Sequence, residues 1–157
     1  MNNKEAVKIN VLYVDDETGN LNAFKASYRR IYNVYLAESA EEGRKVIEEN
    51  EIEVILTDQR MPDVTGVEFL QSIIETHPNP IRILVTGYSD ITAVIDAVNK
   101  GQVYRYISKP WDNDYLKITI DKAYEVFSLR KENQELTDSL VQANKQLEFM
   151  IRQKLIS

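Results

Sequence analysis

Residues 54–58 read Val-Ile-Leu-Thr-Asp, an apolar run that ends in a carboxylate. Four similar runs, each rich in β-branched residues, occur at residues 9–14, 34–37, 81–86 and 103–107. Each run has the length and composition of a strand. Because the runs are almost continuously apolar, we expect strands covered on both faces, as in a parallel sheet between two layers of helices.

The segments between these runs carry apolar residues at helical spacing, so strand and helix alternate along the chain. Five strands without a Gly-x-Gly-x-x-Gly motif favour a flavodoxin-like, doubly wound parallel sheet of order 2-1-3-4-5 over a dinucleotide-binding sheet. The predicted helix boundaries rest on capping and helix-ending residues. These are Ser39 before the second helix, Pro78 and Pro80 after the third, Asp90 before the fourth and Gly101 after it.

Composition excludes several classes of protein. The 157 residues include no cysteine, which excludes disulfides and thiolate metal sites and fits a cytoplasmic location. No apolar run approaches the ~20 residues of a membrane span, so we predict no membrane partner. The formal net charge of -6 opposes binding to a phosphate backbone, so we expect no direct contact with nucleic acid.

Polar side chains stand where four of the predicted strands end. They are Asp15 and Asp16 after the first strand, Asp58 after the third, Thr86 after the fourth, and Lys109-Pro110 after the fifth. In the order 2-1-3-4-5 these strands are consecutive neighbours, about 4.8 Å apart. Ligands of open α/β sheets bind beyond the carboxyl ends of the strands. We therefore expect these side chains to form one pocket.

The chemistry of this pocket favours a divalent cation and a phosphoryl group. Three neighbouring carboxylates repel one another unless a cation compensates them, and hard oxygen ligands with room for water suit Mg²⁺. Lys109 adds a mobile positive charge and Thr86 a hydroxyl donor. Metal, ammonium and hydroxyl together are what a phosphoryl group requires when it is transferred to a carboxylate nucleophile.

At about residues 8–127 the sequence resembles the receiver domains of bacterial two-component response regulators. The resemblance is carried by Val14-Asp15-Asp16-Glu17, Thr57-Asp58-Gln59-Arg60-Met61-Pro62-Asp63-Val64-Thr65-Gly66, Leu84-Val85-Thr86-Gly87 and Tyr106-Ile107-Ser108-Lys109-Pro110. It implies that Asp58 accepts a phosphoryl group from a histidine kinase or phosphotransfer protein. It also implies that Asp16, Asp58 and the backbone carbonyl of Arg60 ligate Mg²⁺, with Asp15 acting through a water molecule.

The resemblance further implies that Asp58, Thr86 and Lys109 form the reacting set, with Thr86 and Lys109 holding the phosphoryl oxygens. Thr86 and Tyr106 are the expected switch pair, and a cis peptide bond is expected at Pro110. Four positions depart from the common pattern or vary within it. Gln102 and Trp111 stand where Ala and Phe are frequent, and Arg60 and Tyr88 occupy variable positions that affect phosphate lifetime.

Two alternatives compete with a signalling switch that turns over no metabolite. A phosphohydrolase similar to the haloacid dehalogenases has an Asp nucleophile, Mg²⁺ and Lys, but it places a second Asp two residues after the nucleophile. In this sequence that position is Arg60. A receiver that binds partners without phosphorylation is the other alternative, and the complete set of acidic, hydroxyl and lysine residues gives it no support.

The sequence predicts two parts, a receiver domain at residues 1–127 and a C-terminal coiled-coil or linker helix at residues 128–157. From Val126 onward, residues recur in steps of three and four, as in a coiled-coil seam, and all of them except Asn133 are apolar. The seam comprises Val126, Leu129, Asn133, Leu136, Leu140, Ala143, Leu147 and Met150. We predict a parallel homodimer, with a helix folded back on the receiver as the alternative. The expected output is either a domain that follows the coil or the coil itself.

Overall fold

In the computed structural model, which describes residues 8–87 and 91–156, strands and helices alternate. The N-terminal half contains β1 (Asn10–Val14), α1 (Thr18–Tyr28), β2 (Asn33–Ala37), α2 (Ala40–Glu49) and β3 (Val54–Asp58). The C-terminal half contains α3 (Gly66–Ile73), β4 (Ile81–Thr86), α4 (Ile91–Asn99), β5 (Arg105–Ser108) and α5 (Asn113–Ile156).

The five strands form one parallel sheet in the order β2-β1-β3-β4-β5, which confirms the predicted fold. The predicted start of β5 was wrong by two residues. Val103 is buried in the core before the strand begins, and the strand pairing of β5 begins with Arg105 opposite Ile83. An apolar residue that packs on a sheet from a connecting segment has the same sequence signature as one inside a strand.

Each face of the sheet is covered by its own layer of helices. α1 and α5 cover one face, where Phe24, Tyr28 and Ile120 belong to the buried cluster. α2, α3 and α4 cover the other, with Phe69 and Val94 among the buried residues. The nearly continuous burial of β1, β3 and β4 follows from this double cover.

Local signals fix several of the helix boundaries. The Ser39 side chain accepts a hydrogen bond from the Glu42 backbone N–H, as predicted for a helix cap. Gly101 follows α4 with a φ of 72°, a left-handed conformation that glycine adopts without strain. The predicted cap Asp90 lies outside the described residues.

Helix α5 is a single unbroken helix of 44 residues. Its first turns pack on the sheet through Leu116, Ile120 and Ala123, whereas every residue from 129 to 156 is exposed. The tail is therefore not folded back on the domain in this structure. A cleft of about 950 Å³ separates the segment from Phe127 to Thr137 from the loops that precede β3 and β4. The tail thus leaves the domain at the edge where the strands begin.

Within the described residues, no helix combines the length and the apolar character that crossing a membrane requires.

Candidate functional site

Three carboxylates meet at the edge where β1 and β3 end. Ligand oxygens of Asp15, Asp16 and Asp58 all lie within 4.8 Å of one another. Asp15 is fully buried and Asp58 is 8% exposed, whereas Asp16 faces solvent. The sheet order explains the meeting, because β1 and β3 are adjacent parallel strands whose carboxyl ends lie side by side.

Lys109, immediately after β5, reaches across β4 into this acidic pocket. Its Nζ donates to Asp15 Oδ2 at 2.9 Å and lies 3.1 Å from Asp58 Oδ1. The backbone N–H of Lys109 donates to the carbonyl of Thr86, which anchors the lysine beside the end of β4. The Lys109–Pro110 peptide bond is cis.

Asp15 is held by four donors. Its Oδ2 accepts from Lys109, from the Tyr13 hydroxyl at 2.6 Å and from Asn20 Nδ2 at 3.1 Å. Its Oδ1 accepts from the backbone N–H of Glu17 at 2.9 Å. Both oxygens are therefore engaged by the protein, and the orientation of this carboxylate is fixed.

Hydrogen bonds connect the loop after β3 to the Asp58 side chain and to the start of α3. Oδ1 of Asp58 accepts from the Gln59 backbone N–H at 2.9 Å. The side-chain Oε1 of the buried Gln59 accepts a hydrogen bond from the backbone N–H of Val67, and the backbone carbonyl of Gln59 accepts one from the backbone N–H of Gly66. These bonds tie the loop back to the start of α3. Arg60 is exposed at the start of this loop, and Tyr88 lies outside the described residues.

Thr86 and Tyr106 lie on the neighbouring strands β4 and β5. Thr86 is buried at the end of β4, and its hydroxyl donates to the carbonyl of Gly87 at 3.1 Å. Tyr106 is 36% exposed and borders a cleft of about 520 Å³ between β5 and the start of α5. The two predicted switch residues thus occupy neighbouring strands, with Tyr106 facing outward.

Burial and Lys109 act in opposite directions on the two buried carboxyls. Burial raises the pKa of Asp58 above its ordinary value, although Lys109 opposes this shift. Burial also disfavours ionised Asp15, but the bonds from Lys109, Tyr13 and the Glu17 backbone outweigh it, so its pKa is lowered. Burial disfavours the charged form of Lys109 as well, yet the two carboxylates raise its pKa. The pocket therefore holds its protonated lysine firmly.

The donor set fits a hard divalent cation. Three carboxylates and one ammonium leave an excess of two negative charges, and all the candidate ligand atoms are oxygens, which Mg²⁺ prefers. The exposed side of the pocket at Asp16 gives an ion and its water ligands access. The residues present thus fit a magnesium ion.

Sequence reasoning did not identify Tyr13, Asn20 or Gln59 as members of the site. Tyr13 lies inside the run of residues 9–14 that is predicted as the first strand. Its spacing of two residues from Asp15 is the signal that identifies it, because residues two apart share one face of a strand. Asn20 contacts the site from α1, one helical turn beyond Glu17, and Gln59 acts through the loop backbone rather than through the pocket.

The family model of the response regulator receiver domain matches residues 11–121. The chain belongs to the response regulator receiver family. Receivers are signalling domains of two-component systems, and the fold, the acidic group and the lysine of this receiver agree with that assignment.

Two curated relatives are transcriptional regulators by name. The hydrogenase transcriptional regulatory protein HoxA of Cupriavidus necator is 38% identical over 157 residues, which is 100% of this receiver chain and 32% of HoxA. The transcriptional regulatory protein ZraR of Escherichia coli K12 is 31% identical over 116 residues, covering 73% of this chain and 26% of ZraR. The chain thus spans about a third or less of these relatives.

Two solved structures share the fold, each at 31% sequence identity to this chain. A receiver domain protein from Clostridium thermocellum superposes with a TM-score of 0.73 at 31% identity, over 77% of this chain and 98% of that one. A structure described as adenylate cyclase from Rhodopirellula baltica gives a TM-score of 0.81, also at 31% identity, over 84% of this chain and 98% of that one.

Proposed function

We propose that this receiver is switched by phosphorylation of Asp58 in a reaction that requires Mg²⁺. Residues 1–127 would form the switch and residues 128–157 a coiled-coil tail that relays its state. The observation that carries the proposal is the position of Lys109 Nζ, 2.9 Å from Asp15 and 3.1 Å from Asp58, beside three carboxylates that lie within 4.8 Å of one another.

The donor is a phosphohistidine of a histidine kinase or phosphotransfer protein. An Asp58 oxygen attacks the phosphorus, a P–O bond forms, and the P–N bond to histidine breaks with its electron pair leaving on nitrogen. The histidine nitrogen then takes up a proton from solvent. Lys109 stays protonated throughout and turns its Nζ from the carboxylates to a phosphoryl oxygen, where it stabilises the developing charge.

Asp16, Asp58 and the backbone carbonyl of Arg60 would hold the magnesium ion. When bound, Mg²⁺ supplies the positive charge that offsets the carboxylates and the phosphoryl oxygens. Because both oxygens of Asp15 already accept bonds from the protein, an indirect role through water suits this residue better than direct ligation.

Thr86 and Tyr106 would convert phosphorylation into a change of surface. The Thr86 hydroxyl donates only to the adjacent Gly87 carbonyl among the bonds described for it, so turning it toward a phosphoryl oxygen breaks one local bond. Tyr106 then moves toward the interior. This movement would alter the cleft that Tyr106 borders with Trp111 and Tyr115 at the start of α5.

The tail would form a parallel coiled-coil homodimer along the seam defined above. Its leucines have no cover in this structure, since Leu129, Leu136, Leu140 and Leu147 are each more than half exposed. Burying such a row against a second copy is the usual solution for a helix of this pattern. The state of Asp58 would pass along α5 to an output segment or partner, as suits a chain whose named relatives are transcriptional regulators.

The first prediction is that incubation with acetyl phosphate and Mg²⁺ adds the mass of one phosphoryl group to the chain. Asp58→Asn should abolish this addition, because the amide oxygen is a far weaker nucleophile than the carboxylate. Intact mass spectrometry measures both. Asp63→Asn is the matched control, since Asp63 is an exposed acid in the same loop and its left-handed backbone suits asparagine.

Chelation of the metal should also prevent labelling. Undiminished labelling of Asp58→Asn would show that the acceptor lies elsewhere, and undiminished labelling under chelation would reject the requirement for Mg²⁺.

A further inference from the structure

Tyr13 contacts the site directly although it belongs to the hydrophobic strand β1. It is fully buried, and its hydroxyl donates to Asp15 Oδ2 at 2.6 Å, the shortest of the bonds to that carboxylate. Lys109 donates to the same oxygen at 2.9 Å. Tyrosine and lysine therefore share one acceptor atom at the centre of the pocket.

Aromatic packing fixes the position of this hydroxyl. The Tyr13 ring lies 5.0 Å from the ring of Phe24 and meets Trp111 edge-on at 5.8 Å. A ring held between α1 and the segment before α5 cannot swing its hydroxyl away from Asp15 without disturbing the core. A phenylalanine at this position keeps the ring contacts and removes the hydroxyl alone.

Sharing the acceptor affects the lysine. An oxygen that already accepts a short bond from a hydroxyl carries less unshared charge, so it attracts a second donor less strongly. Without the hydroxyl, Lys109 would be the strongest donor to Asp15, and it would leave that carboxylate less readily. Asn20, at 3.1 Å and closer to solvent, provides a weaker substitute.

We propose that Tyr13 is a positioning residue for phosphoryl transfer, which holds Asp15 in place of Lys109 when the lysine turns to the phosphoryl group. The inference rests on the proposed function and extends it to a residue outside the acidic and lysine motifs. Tyr13 does not touch the phosphoryl group; it acts through Asp15 on the freedom of Lys109.

The test compares Tyr13→Phe with the wild-type chain during labelling by acetyl phosphate over a series of Mg²⁺ concentrations. The maximal labelling rate at saturating Mg²⁺ should fall about tenfold, the effect expected of one lost hydrogen bond to a charged group. The Mg²⁺ concentration for half the maximal rate should be nearly unchanged, because the metal ligands are intact. A purely structural tyrosine would lower thermal stability without lowering this rate.

Tyr28→Phe is the matched control. Tyr28 belongs to the same aromatic cluster, with its ring 4.8 Å from Phe24, but its hydroxyl donates to the carbonyl of Asn113 at 2.8 Å. This variant should label at the wild-type rate. Equal slowing of both variants would overturn the inference, as would a wild-type rate in Tyr13→Phe or a defect that excess Mg²⁺ restores. A wild-type chain that takes up no label would instead reject the proposed function, and this inference with it.

Discussion

Gly66, the first residue of α3, has no space for a side chain. A Cβ at this position would meet the carbonyl oxygen of Asp58, and the Leu84 side chain lies 2.9 Å from the same point. The backbone of the acceptor residue is thus packed directly against the start of the following helix. The absence of a side chain at Gly66 is what allows the loop to return so closely to β3.

Gly66→Ala should lower the free energy of unfolding by about 1–3 kcal/mol, because the backbone of β3 or α3 must shift to admit the methyl group. Chemical denaturation measures this difference. Gly19→Ala is the control: nothing lies within 4 Å of a Cβ there, and alanine favours the helix, so the change should be neutral or stabilising. A loss of stability no larger than that of the control would contradict the packing argument.

The residue types in the sequence predict the charged residues of the site but not the residues that hold them in position. Aspartate, threonine and lysine at strand ends are visible in the sequence because polar residues interrupt apolar runs there. Tyr13 lies within such a run, where tyrosine is an ordinary core residue, and only the contact geometry shows that its hydroxyl reaches Asp15. The pairing of Lys109 with Asp15 as well as with Asp58 likewise required the structure.

Helices α1 and α5 are joined by two buried tyrosines. The Tyr28 hydroxyl donates to the Asn113 carbonyl at 2.8 Å, and the Tyr32 hydroxyl, just beyond α1, donates to Asp121 at 2.7 Å. The tyrosine rings also contact each other, with centroids 5.8 Å apart. These contacts attach the first turns of the long helix to the domain.

Because the Tyr28 hydroxyl is buried, the free energy of unfolding should depend on pH in the alkaline range. Burial, followed by the charges of Asp112 and Asp114, raises the pKa of Tyr28 to about 12 from its ordinary value of 10.0. A raised folded-state pKa means that the stabilisation is complete below the unfolded-state pKa and is lost as pH rises through the folded-state pKa. The contribution of Tyr28 should therefore decline between those two values.

Tyr28→Phe should lower the free energy of unfolding by about 1 kcal/mol near neutral pH, where one hydrogen bond is lost. Between about pH 10 and 12 the variant should lose less stability than the wild type, by on the order of 2 kcal/mol, since it has no hydroxyl to titrate at this position. Denaturation at a series of pH values measures both. Parallel curves for the two proteins would contradict the assigned burial effect.

Element order and sheet topology followed from the sequence because alternating strands and helices leave few arrangements of a doubly wound sheet. The boundary of β5 did not, because Val103 is buried in the core cluster that includes residues of α2, α3 and α4, whereas strand pairing begins only at Arg105. The pattern of the C-terminal segment predicted a long helix and a seam. It did not predict that Val126 would pack partly on the receiver itself, which places the fully uncovered part of the seam after that residue.

At the scale of the whole molecule, the exposed seam predicts a dimer. Leu140→Glu should weaken association on the order of a thousandfold, because two leucines that each contribute about 2 kcal/mol on burial would be lost from the pair. Val141→Glu, at the next position and outside the seam, is the matched control and should remain dimeric. Light scattering of the full chain measures the state of all three proteins.

A monomeric wild-type chain would reject the coiled coil. An antiparallel pair, seen by energy transfer between labels at the helix ends, would reject a relay in which both receivers lie at the same end of the coil.

The unbroken passage of α5 from the domain into the tail has a mechanical consequence. The helix begins beside the pocket, within a few residues of Lys109, and its uncovered segment of residues 129–156 extends about 42 Å at the helical rise. A rigid rod hinged at one end multiplies small displacements, so a tilt of about 10° at its base would move its tip by about 7 Å. A helix of this length would therefore act as a lever arm, in which a modest tilt of the docked segment becomes a displacement of several ångströms at the far end of the tail.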